Sequence, residues 1–201
     1  MESLKSPART YRGVPHDERR AQRRAQLIAA GVTVYGERGF RHATVKAVCE
    51  AAGLTERYFY ESFSNSDELL IACFQTVTER VMVDIRAAAR DAGACRADRV
   101  RAILRTYFTS LKNEPRSARV FLVEIRGVSR AVDKALDTAL RAIGSDLARF
   151  VAPARAAPDP LLQAGIVGGV IHIALRWIED DYSPDVETVI ASALPLMLVR
   201  Q

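Results

Sequence analysis

The segment Thr44–Phe63 leaves this chain few folds to choose from. Val45, Val48, Cys49 and Ala52 recur at i, i+3, i+4 and i+7, which lays one narrow apolar face along a helix. Thr44, just before them, supplies the side-chain oxygen that a helix N-terminus needs. Gly53 tolerates the left-handed backbone that ends such a helix in a sharp turn, Leu54 fits the angle that follows, and Thr55 stands where a second helix would be capped. In that second helix Phe59 and Phe63 face back to the core. Glu56, Arg57, Tyr58, Tyr60, Glu61 and Ser62 are left on the open side. The pattern predicts a helix-turn-helix whose second helix presents polar and aromatic groups to a major groove. A helical hairpin with idle surface tyrosines has the same pattern, so the surroundings must discriminate.

The charge favours DNA. The chain of 201 residues has a formal net charge of +5, and the excess is concentrated at one end. Through Phe63 there are eleven Lys and Arg against seven Asp and Glu; the longer remainder is almost balanced. Lys5, Arg9, Arg12, Arg19, Arg20, Arg23 and Arg24 lead into the helix-turn-helix, which is the footprint of phosphate binding. A solvated helix or leader would also be basic. The arginine-heavy composition reflects base composition of a genome as readily as function.

Three scattered cysteines, Cys49, Cys73 and Cys95, do not make a disulfide framework, and His16, His42 and His172 are too far apart for a zinc site. No apolar stretch follows the basic N-terminus as in a signal peptide. The longest uncharged run, Pro160 to Leu175, is short for a membrane span. These features predict a soluble cytoplasmic protein with no membrane partner, no metal and no cofactor.

Periodicity predicts an all-α chain of about nine helices. Residues 1–16 read as a flexible basic arm, 17–64 as the DNA-binding domain, and 65–201 as a domain for ligand binding and dimerisation. The first helix, about Asp17 to Arg38, carries Leu27, Ile28, Gly31, Val34 and Tyr35 on one stripe, with Gly36 and Gly39 signalling its end. Asn65 with Glu68 three residues on resembles a capping box, and it starts a long helix through Leu70, Phe74, Val77, Val81 and Ile85. Apolar stripes follow over 96–112 and 132–150, with a short helix from Pro115 between them that is apolar all round except at Glu124. Pro153, Pro158 and Pro160 mark a loop, and Ser183-Pro184 is read as the start of the last helix.

The last two helices are the most apolar. Gly165 and Gly169, with Ile173, Val189 and Ala193, suggest close packing against a second copy, because such a surface left bare would be a large exposed patch. Their use as internal core is the competing reading. For a small-molecule site, Phe74, Leu104, Tyr107, Phe108, Phe121 and Trp177 are candidates for an apolar lining, with Glu124 or His172 to orient a polar end. Ordinary core packing accounts for each of them as well, and Glu124 could instead pair with an arginine such as Arg105.

Together these residues resemble the tetracycline-repressor (TetR) family of bacterial regulators. The close match runs from about Leu27 to Leu70: a bracing helix, Gly39-Phe40, Thr44, the Ala52-Gly53-Leu54-Thr55 turn, Tyr60, Phe63 and Glu68-Leu69-Leu70. The resemblance implies a homodimer on double-stranded DNA at a palindromic operator, usually a repressor, released when a small apolar or amphipathic effector shifts the fourth helix. It implies that Thr44 and Lys46 hold phosphates and that Thr55, Glu56, Arg57, Tyr58, Tyr60 and Ser62 face the DNA. Arg57 has the fork that reads guanine, and Tyr60 suits a phosphate. The family often has lysine where Ser66 stands, and small residues where Arg57 and Tyr58 stand. Glu56 and Glu61 would repel phosphate or accept from cytosine.

Two other functions remain open. A constitutive DNA-binding regulator would have no effector. A helical carrier or enzyme would not use its helix-turn-helix, although no GxSxG, HExxH or phosphate-cradling glycine loop is present, so enzymatic activity is not expected.

Overall fold

The computed structural model describes residues 16–151 and 159–198. The expected N-terminal arm and most of the proline-marked loop lie outside them. Among the described residues the fold is all-α: α1 (His16–Arg38), α2 (Val45–Ala52), α3 (Glu56–Tyr60), α4 (Ser66–Asp91), α5 (Arg96–Asn113), α6 (Pro115–Arg119), α7 (Arg130–Val151), α8 (Pro160–Glu179) and α9 (Val186–Leu198). A 3-10 turn, Phe40–His42, links α1 to α2, and a π-helical turn, Val120–Glu124, continues α6.

Local chemistry explains the N-terminal elements. The Thr44 hydroxyl accepts the Ala47 N–H (3.1 Å), and Gly53 closes α2 in the left-handed region at φ 65°. Thr55 occupies the cap position of α3 in extended conformation, but its side chain makes no capping bond, which corrects the expectation for it. Asn65 accepts the Glu68 N–H (2.9 Å) while Glu68 accepts from Ser64 N–H (2.8 Å), a reciprocal start for α4. Leu27, Ile28, Val34 and Tyr35 of α1 are buried with Val48, Phe59, Phe63, Leu69 and Leu70 at the N-terminal end of one core that continues through the later helices.

From there α4 runs on into the larger helical layer. At 26 residues it spans about 39 Å. It packs against α5 and α7, α5 packs on α9, and α8 lies between α7 and α9. The helix ends are tied off by arginines: Arg96 donates to the Met197 and Leu198 carbonyls, and Arg99 to those of Gly93, Ala94 and Val151. Such cations suit the negative ends of helices.

Several expectations need correction. Gly36 does not end α1. It sits inside the helix because the backbone of Arg116 on α6 would lie 2.7 Å from any Cβ there. The last helix is capped by Asp185, which accepts from the Glu187 and Thr188 amides (2.9 and 3.2 Å), rather than by Ser183-Pro184. Glu124 pairs with Arg119, and Arg105 with Glu187. Finally, α8 has twenty residues, long and apolar enough to cross a membrane by length and composition; in this fold its Ile171, Ala174 and Trp177 are packed into the core.

Candidate DNA-binding surface and effector cavity

On the helix-turn-helix the most exposed groups are the ones suited to DNA. The Arg57 side chain is 84% exposed and Tyr60 60%. Lys46 stands out from α2, loosely placed 4.0 Å from Glu50. Thr44 uses its oxygen as an acceptor for the helix end, which leaves the hydroxyl proton available to a phosphate. Thr55 and Glu56 are exposed, while Ser62 and Ser66 are half-buried near the α3–α4 corner.

Two groups are less free than the sequence suggested. Tyr58 is half-buried, with the Arg23 guanidinium 4.4 Å from its ring centroid. Glu61 is occupied: it accepts from Arg57 Nε at 3.1 Å and lies 3.7 Å from Arg23, and its carbonyl accepts from Arg20 at 3.0 Å. Three arginines thus gather on the end of α3, two of them from α1. Exposed pairs of this kind contribute only about 0–1 kcal/mol each, so Arg57 is held but easily recruited by a base edge. Arg20 and Arg23, three apart on one face of α1, were visible in the sequence only as positive charge. Their role in seating α3 depends on where α1 passes.

Behind this surface, α4, α5, the π-helical turn, α7, α8 and α9 line a small apolar cavity of about 50 Å³ that opens to solvent. Met82, Ile85, Tyr107, Phe121, Leu147 and Val167 are among its walls. Of the eight residues expected at a ligand site, only Tyr107 and Phe121 line it. Phe74 lies behind the wall, stacked on Phe121 with centroids 5.6 Å apart, and Leu104 is core. Phe108 is also core, with its ring edge-on to Trp177, whose indole N–H donates to the Pro184 carbonyl at 2.6 Å. His172 is on the exposed side of α8. Glu124 is at the joint between the two layers, where one carboxylate oxygen accepts the Phe40 N–H at 2.7 Å and the other accepts from Arg119 at 2.8 Å.

The residues considered for dimerisation divide in the same way. Val189 and Ala193 are buried in the chain's own core and cannot meet a partner, which corrects the reading for both. Gly169 is packed against Leu196 of α9. Gly165 faces open space, Ile173 is half-buried, and Leu161 beside them is 81% exposed.

Comparison with known proteins agrees with this layout. Residues 27–73 match the model of the tetR family of bacterial regulatory proteins. Over 181 residues the chain is 24% identical to the HTH-type transcriptional activator FasR of Mycolicibacterium smegmatis, covering 88% of this chain and 80% of that one. Its fold is shared with the fatty acid degradation regulator FadR from Bacillus halodurans (TM-score 0.76, 22% identity, 88% and 95% of the two chains). It is shared also with FadR from Bacillus subtilis in complex with stearoyl-CoA (TM-score 0.72, 21% identity, 87% and 97%). With a capped helix-turn-helix at one end and that fold along most of its length, the chain carries at residues 27–73 the DNA-binding domain of the tetR family of bacterial regulatory proteins and is a DNA-binding transcriptional regulator.

Proposed function

We propose that the protein is a homodimeric cytoplasmic repressor, released from a palindromic operator when an amphipathic effector inserts its apolar part into the cavity. The observation that carries this reading is the position of the cavity. Val81 and Met82 on its wall belong to the same helix as Leu69 and Leu70, which are buried in the DNA-binding core, so α4 is common to both sites. Phe121 and Glu124 make a second link, since one turn of chain touches the cavity and the Phe40 amide. Operator spacing fixes the separation of two recognition helices, and a small displacement of α4 in each protomer weakens both half-sites together.

On this reading Arg57 reads a guanine, Thr44, Lys46 and Tyr60 hold phosphates, and Thr55, Glu56, Tyr58, Ser62 and Ser66 border the contact. The exposed side of α8 around Leu161, Gly165 and Ile173 forms the dimer seam; only 28% of that helix's apolar window is buried within one chain. The stearoyl-CoA complex of the Bacillus subtilis relative supports a long acyl chain as the apolar part.

Selection of bound sequences from a random duplex library by the purified protein tests the reading, and an enriched palindrome is the expected result. Arg57→Ala is then expected to cost about 1–3 kcal/mol on that operator and little on random DNA, measured by fluorescence anisotropy, whereas Tyr60→Ala weakens both. Equal losses on both DNAs for Arg57→Ala would remove it as a base reader. The Mycolicibacterium smegmatis relative is named as an activator, so a promoter-reporter assay decides the sign of regulation.

A further inference from the structure

The carboxylate of Glu61 stands where neither α3 nor DNA favours one. It closes the C-terminal end of α3, where negative charge meets the negative end of a helix, and on a helix laid into a groove it meets phosphates of its own sign. Its bond from Arg57 Nε at 3.1 Å joins residues four apart with the base first, the order that stabilises a helix less. What the carboxylate does have is cations. Besides Arg57 it lies 3.7 Å from Arg23, whose guanidinium is also over the Tyr58 ring, and Arg20 donates to the Glu61 carbonyl at 3.0 Å. The Arg57 side chain is nonetheless 84% exposed, so a bond at Nε leaves its two terminal nitrogens open to the groove.

We propose that Glu61 is a specificity-determining residue: its carboxylate holds Arg57 by Nε, aims the terminal nitrogens at a guanine edge, and offsets the charge that would otherwise bind phosphate on any sequence. The role rests on Arg57 being the base reader of the function proposed above. A guanine gives the guanidinium two acceptors, O6 and N7, without drawing Nε away from Glu61. A phosphate gains from Arg57 chiefly its charge, which the carboxylate already offsets. Specific contact is therefore kept while contact with other sequences is weakened.

Glu61→Gln keeps an acceptor of the same shape for Arg57 and removes only the charge. Measured by fluorescence anisotropy on a mixed-sequence duplex across a potassium chloride series, it should bind about five- to tenfold more tightly at about 0.1 M salt for each protomer engaged, with a salt slope steeper by about one. Affinity for the palindrome enriched in the library selection, where Arg57 is on a base, should change less, so discrimination falls. Glu61→Ala also removes the hold on Nε and should lose affinity for the palindrome that Glu61→Gln retains. Two controls isolate the pair. Glu56→Gln removes an exposed carboxylate from the other end of α3 and should gain less than Glu61→Gln, and in an Arg57→Ala background Glu61→Gln should lose most of its gain. No gain from Glu61→Gln, an equal gain from Glu56→Gln, or a gain undiminished without Arg57 would overturn the role of Glu61 and leave the regulator reading intact. Failure of the wild type to enrich any palindrome would remove that reading, and the specificity role with it.

Discussion

Glu124→Ala is expected to destabilise the protein by about 2–4 kcal/mol, although Glu124 touches neither DNA nor the cavity directly. Its side chain is 10% exposed and holds two groups at once, the Phe40 amide at 2.7 Å and Arg119 at 2.8 Å. Truncation leaves a half-buried amide without its acceptor and a guanidinium without its charge partner. The Phe40 amide opens the 3-10 turn that hands the chain from α1 to Thr44, so the loss falls on the entry to the helix-turn-helix. Glu124→Gln keeps an acceptor of the same shape for Phe40 and gives up only the charge; it should lose about 1 kcal/mol. Urea denaturation of the three proteins measures this. A loss below about 0.5 kcal/mol for the alanine variant would show that the joint does not depend on this carboxylate. An effector titration on operator-bound protein adds the functional half: with the Phe121–Glu124 link broken, release should need more effector even where binding in the cavity is unaltered.

That joint also shows where sequence reasoning stopped. The features legible in advance were set by neighbours in the chain. Thr44 with Ala47, Gly53 after Cys49, and Asn65 with Glu68 all bond within four residues, and helical spacing alone turns Phe59 and Phe63 inward. The Glu124–Phe40 bond spans 84 residues, and no local pattern announces it. Gly36 looked like a helix stop because its actual reason, the close approach of α6, lies 80 residues away in the sequence.

Cavity and dimer seam were hard to read for another reason. In α8 and α9 almost every position is apolar, so periodicity gives no direction and cannot say that Val189 and Ala193 point inward while Gly165 points out. Aromatic residues were favoured for the pocket because they are large. Their size is what makes Phe74, Phe108 and Trp177 fill the core instead, and the cavity is left to slimmer side chains such as Val81, Ile143 and Val167.

Phe59→Ala is the substitution with the largest expected cost, about 3–5 kcal/mol, and it should abolish DNA binding without removing a single DNA contact. Helix α3 has five residues, whereas an isolated helix needs roughly 12–15 to persist in water, so its conformation and its angle are both imposed by packing. Phe59 supplies most of that. It is fully buried, edge-on to Tyr60 at 5.2 Å and tilted against Phe63 at 5.8 Å, and Phe63 is itself covered by the Arg24 guanidinium at 4.9 Å. The surface ties through Arg20, Arg23 and Glu61 contribute too little to hold the helix once this anchor is gone. Denaturation should therefore show the full loss, and anisotropy should show operator and random DNA affected together, unlike Arg57→Ala. Retention of operator affinity by Phe59→Ala would mean that DNA itself can order α3, and that the helix is folded on binding rather than presented ready-made.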